Sequence, residues 1–119
     1  MTERDYKKLA KLGDSIINCI VSAALTLHLE EPVNIKVPNK KLRDALRKLG
    51  EKPPPGVEPW DWAEALVALA WLNSRISIDD MIIETLNNIT KNREKPLDTA
   101  VQAVLSTCLR KLYQTKKQL

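Results

Sequence analysis

The chain has 119 residues, 44% apolar and 29% charged, with seven Pro, three Gly and no Phe. A chain of this size buries roughly two thirds of its unfolded surface, so the composition excludes disorder and the length excludes a separate substrate domain. The formal charge of +4 is uneven: residues 1–50 carry ten basic and six acidic side chains, residues 51–93 four and seven, and residues 94–119 five and two. This suits an anionic polymer gripped at basic edges around a central cation, and equally an unevenly charged solvated surface.

Thr2, with Asp5 three residues on, is a capping-box start for a first helix. Its apolar positions Leu9, Leu12, Ile16, Ile20, Ala23, Ala24 and Leu27 are spaced mostly by three or four, and Glu30-Glu31-Pro32 ends it near Leu29. Val33-Asn34-Ile35-Lys36-Val37 alternates like a strand, but one short strand has no partner, so an extended connector is expected. Pro38-Asn39 opens a basic second helix to Leu49, stopped by Gly50, with Leu42, Ala45, Leu46 and Leu49 as its apolar stripe. Lys40, Lys41, Arg43, Arg47 and Lys48 are left for water or phosphate.

Pro53-Pro54-Pro55-Gly56 is a stiff loop, and Glu58-Pro59 starts a third helix running to about Leu72. That helix is apolar nearly all round, as a central buried helix would be. Ser77 caps a fourth helix, with Asp79 and Asp80 in its first turn and Ile82, Ile83, Leu86 and Ile89 as its apolar residues; it gives way after Lys91. The fifth is expected from Pro96 to Lys117 on a stripe of Val101, Val104, Leu105, Cys108, Leu109 and Leu112. The expectation is therefore one all-α domain over residues 1–119.

Most enzyme classes lack their residues here. There is one histidine, no nucleophile-elbow motif and no glycine-rich phosphate loop. His28, near the end of the first helix, is placed to complement the helix dipole. Cys19 and Cys108 lie far apart in apolar stretches and read as small core residues in a reducing cytoplasm. The longest apolar run, Ala63 to Leu72, is too short for a bilayer span, so no membrane partner is expected.

What remains is carboxylates inside apolar helices. Asp14 interrupts the first helix, and Asp61 and Glu64 interrupt the third. Charged groups are seldom buried without a partner or a metal, and two carboxylates three residues apart on one helix repel unless a cation lies between them. Gly13 costs about 1 kcal/mol inside a helix, which is understandable if another backbone approaches there. Should the first helix meet the third at Gly13, Asp14 would face Asp61 and Glu64, and three hard oxygen donors suit Mg²⁺ or Mn²⁺. Local capping and dipole effects explain the same acids about as well.

Leu12-Gly13-Asp14-Ser15 resembles the first ribonuclease III signature, and Asp61-Trp62-Ala63-Glu64-Ala65-Leu66 resembles the second, with the basic helix between them as in that family. The resemblance covers about residues 5–72 closely and the last two helices by type. It implies an all-α ribonuclease III-like domain of about five helices that forms a homodimer, lays double-stranded or structured RNA along the dimer, and hydrolyses it with Mg²⁺ or Mn²⁺. Asp14, Asp61 and Glu64 match three acidic metal-site positions. Where the family has two more glutamates, this chain has Lys7 and Ala10. Asp5 lies about 180° round the helix from Asp14 and Glu3 about 16 Å along it, so neither replaces them.

The resemblance thus implies an endoribonuclease, from whose family pattern this sequence is expected to depart in its reduced acidic set and in having no double-stranded-RNA-binding domain after it. Lys40, Lys41, Arg43, Arg47 and Lys48 would supply sequence-independent phosphate contacts. The alternatives are a degenerate relative that binds RNA or a partner without cutting, and an unrelated helical interaction module. Trp60, Trp62 and Trp71 are expected in the core or a dimer interface before any base-stacking role, with one of Trp60 and Trp62 in the core and the other left for a partner.

Overall fold

A computed structural model describes residues 1–114, and these contain five helices: α1 (Glu3–Leu29), α2 (Asn39–Lys48), α3 (Pro59–Leu72), α4 (Ile78–Lys91) and α5 (Pro96–Gln114). There is no strand among the described residues. The 115–117 stretch of the expected fifth helix lies outside them. The boundaries follow local chemistry. Thr2 and Asp5 form both halves of the capping box, Pro59 opens α3, and the Ser77 hydroxyl accepts the Asp80 N–H at 3.0 Å. Glu30 closes α1 in the left-handed conformation (φ 59°), and Gly50 turns the chain after α2 (φ 71°).

α1 packs most extensively on α3 and also touches α4 and α5, while α2 lies against α3 and α5. By length and apolar content α1 alone among the described helices is long enough to cross a membrane, although Ile16, Ile17, Ile20, Val21, Ala24 and Leu25 are spent on the core. From Ala63 to Ala68 every residue of α3 is buried, as its all-round apolar pattern requires. The α5 stripe is as expected: Val101, Val104, Leu105, Cys108 and Leu109 are buried and Leu112 is partly so.

Three expectations need correction. Most of the expected α1 stripe faces inward, with Ile16, Ile20 and Ala24 buried and Leu12 packed against the core, but the inner face is wider than expected: Ala10, Gly13, Ile17, Val21 and Leu25 are buried too, whereas Leu27 is 57% exposed. The close approach of α3 turns the small residues of α1 inward, and hydrophobic spacing alone does not record that preference. Cys19 is exposed and only Cys108 is in the core, where burial pushes its thiol up to about 12. Trp60 and Trp62 both pack against the core, while Trp71 is exposed. Trp62 meets the edge of Tyr6 at 5.3 Å, joining α3 to the first turns of α1.

The 33–37 connector is extended, as expected, but it has a partner. Asn18, Ser22 and Thr26 lie one above another at four-residue spacing on α1. Their side chains accept the N–H groups of Val37 (2.8 Å), Ile35 (2.8 Å) and Val33 (3.0 Å), and the Ser22 and Thr26 hydroxyls donate back to the Ile35 and Val33 carbonyls. Four helical residues rise about 6 Å and two extended residues about 6.6 Å, so the periods match and the polar face of α1 acts as a strand edge.

Candidate functional site

The site is built where α1 and α3 touch. A Cβ on Gly13 would lie 1.8 Å from the backbone oxygen of Glu64, so only glycine permits this approach. Asp14, the next residue, is thereby brought beside the Glu64 carboxyl. Glu64 is buried (7% exposed), and Asp14 is half-buried at the rim.

Three groups hold the Asp14 carboxylate. The Lys36 ammonium donates to both oxygens, at 2.8 Å and 3.0 Å, and the Asn18 amide donates to Oδ1 at 3.1 Å. The third is the Glu64 carboxyl, which shares a hydrogen bond with it. Lys36 is the largest cause of an Asp14 carboxyl held below its usual value, and Asp14 in turn raises the Lys36 ammonium. Glu64 moves the other way. Burial first, then the hydrogen bond and charge of Asp14, then the charge of Asp61 push its carboxyl up to about 8. Near neutral pH one proton is therefore kept between two carboxyls, with Glu64 as donor and Asp14 as acceptor.

A cation would relieve the same repulsion that this proton relieves, and carboxylate oxygens are the hard donors that Mg²⁺ and Mn²⁺ take. Asp14 and Glu64 thus fit a divalent ion as a pair of ligands. Asp61, in the first turn of α3, reaches Glu64 through its charge, and no group of three or more His, Cys, Asp or Glu side chains is gathered for a metal among the described residues. Ala10 is buried one turn before Asp14, so no oxygen is offered there, and Lys7 is exposed.

The basic helix is less open than its sequence implies. Lys41 is paired with Asp98 of α5 at 2.6 Å, and the Arg43 guanidinium turns onto its neighbour Asp44 at 3.2 Å. Lys40, Arg47 and Lys48 are exposed. A cavity of about 330 Å³ between α2 and α5 is lined by Lys41, Arg47 and Lys48 together with Asp44 and Asp98. His28 stands in the last turn of α1, where the dipole favours it.

Sequence reasoning missed Lys36 and Asn18. A signal was present: Asn18 continues the four-residue polar series from Asp14, and Lys36 is the one charged residue of the alternating connector.

The family described as Ribonuclease III matches residues 7–117. No curated protein matches the chain.

Proposed function

Because this chain belongs to the ribonuclease III family, we propose that it is an endoribonuclease that hydrolyses phosphodiester bonds in double-stranded or structured RNA with Mg²⁺ or Mn²⁺. The observation that carries this reading is the Asp14–Glu64 pair: two carboxyls brought together across a glycine contact, one of them buried, at a cost that a bound cation offsets. When bound, a divalent ion acidifies a coordinated water and neutralises charge at the scissile phosphate. Asp14 and Glu64 would supply the oxygens that hold it. Glu64 would give up its proton to do so, since ligating carboxylates are deprotonated. Asp61, one turn away on α3, would join them, directly or through water.

Lys40, Arg47 and Lys48 meet phosphates directly, while Lys41 and Arg43 do so by exchanging their acidic partners for RNA. The homodimer that this reading requires has an apolar surface to use. Leu27, Val33, Ile82 and Ile83 line an open groove between α1 and α4, and Trp71 and Leu72 are exposed at the end of α3. We propose that the protein works in the cytoplasm without a membrane partner.

The test is cleavage of a long RNA duplex with Mg²⁺, with Mn²⁺ and with a chelator, for the wild type and for Glu64→Gln. Cleavage should need the divalent ion and fall at least roughly 100-fold in the variant, as expected when a metal-site carboxylate is lost. Duplex binding without cutting under every condition, or cutting indifferent to Glu64→Gln, would overturn the reading.

A further inference from the structure

Asp14 already has a cation. Both of its oxygens accept from the Lys36 ammonium, and Oδ1 accepts from Asn18 as well. The Glu64 carboxyl takes a further share of the roughly four lone-pair positions a carboxylate offers. Although the Asp14 side chain is 35% exposed, an ion that takes both of its oxygens must displace the Lys36 ammonium.

The placement of Lys36 is constrained. Its neighbours on both sides are tied to α1, Ile35 N–H by Ser22 and Val37 N–H by Asn18, each at 2.8 Å. The backbone of Lys36 is pinned between them, and with Ile35 and Val37 bonded to the helix the intervening side chain is delivered along its rim to Asp14. Asn18 serves both ends, accepting from Val37 and donating to Asp14. Yet the Lys36 side chain is 74% exposed, so leaving Asp14 for water costs only a solvent-exposed ion pair. A group fixed at its root and free at its tip is suited to exchange.

We propose that Lys36 is a tethered competitor for the divalent ion: its ammonium occupies both oxygens of Asp14 in the resting protein, an entering ion displaces it, and Lys36 thereby sets the ion concentration at which the site fills. The proposal rests on the reading of Asp14 and Glu64 as the metal ligands. The expected size follows from two effects, a lost ion pair with Asp14 and a removed positive charge near a doubly charged ion. Together they amount to roughly 5- to 30-fold in ion affinity.

The experiment is a titration of the RNA-free protein with Mn²⁺, followed by the electron paramagnetic resonance of the free ion, on wild type, Lys36→Met, Lys36→Arg, Asp14→Asn and Glu64→Gln. Lys36→Met should bind Mn²⁺ roughly 5- to 30-fold more tightly than wild type, whereas Lys36→Arg, which keeps the charge, should stay within about twofold. Placed on Asp14→Asn, Lys36→Met should lose its advantage, because the competition runs through that carboxylate. Affinity in Lys36→Met equal to or weaker than wild type overturns the proposal, provided Glu64→Gln abolishes the site. Mn²⁺ binding that survives Glu64→Gln unchanged refutes the metal site itself, and the role of Lys36 falls with it.

Discussion

Replacing Gly13 with alanine sets two effects of opposite sign against each other. In an exposed helix the change would stabilise, since alanine is favoured over glycine by about 1 kcal/mol. Here the added Cβ would sit 1.8 Å from the Glu64 oxygen, 2.4 Å from its carbonyl carbon and 2.9 Å from its Cα, all of them backbone atoms. Ordinary contact begins near 3.4 Å, so the two helices must separate by about 1.6 Å, the difference between 3.4 and 1.8 Å. No flexible side chain can absorb that shift, and α1–α3 is the most extensive helix contact. Overpacking of this kind costs typically 1–3 kcal/mol, and contact with rigid backbone puts this site at the upper end or beyond. The net expectation is a loss of about 2 kcal/mol, or roughly 5–12 °C in Tm for a domain of this size. Thermal unfolding followed by far-ultraviolet circular dichroism measures it. A Tm equal to or above that of wild type would show that α1 and α3 do not meet at Gly13 as closely as this contact requires. The same displacement moves Asp14 from Glu64, so RNA cleavage should fall with Tm.

Two further outcomes follow from the ionisable groups. The Glu64 carboxyl is pushed up to about 8 from an ordinary 4.5, so between those values the folded chain holds a proton that the unfolded chain has released. This contribution to stability is largest below about pH 4.5 and is lost as pH rises through 8, with a limiting slope of about 1.4 kcal/mol per pH unit. Urea unfolding without divalent ions should therefore show wild type losing stability from pH 5 to 8 relative to Glu64→Gln; parallel profiles would contradict the burial of this carboxyl. The two thiols should separate just as clearly, because Cys19 is exposed while burial pushes the Cys108 thiol up to about 12. A thiol reagent at neutral pH should modify one equivalent in the native protein and two in denaturant, and rapid native labelling of two would contradict the core placement of Cys108.

Much of the fold was legible because its signals are local. The capping box at Thr2, Pro59 at the first position of α3 and the Ser77 cap act within a turn of the backbone they satisfy, and α5 shows its stripe directly. Gly13 was legible for a different reason: a residue unfavourable to its own helix points to something outside that helix. The inner face of α1 was legible only in part, because three helices surround it and widen the buried arc beyond the expected stripe. The extended connector was recognised by its alternation, but its partner was sought among strands rather than on the polar side of a helix.

By itself the sequence determined five helices, the family, and two acids placed on helices that a glycine allows to meet. The tertiary structure decided which charges those acids live beside. Lys36 reaches Asp14 across 22 positions of sequence, and Lys41 reaches Asp98 on another helix. Side-chain charge acts over a few ångströms of space whatever the distance along the chain. The partners of each carboxylate, and so its proton and its cation, are set only once the helices have packed.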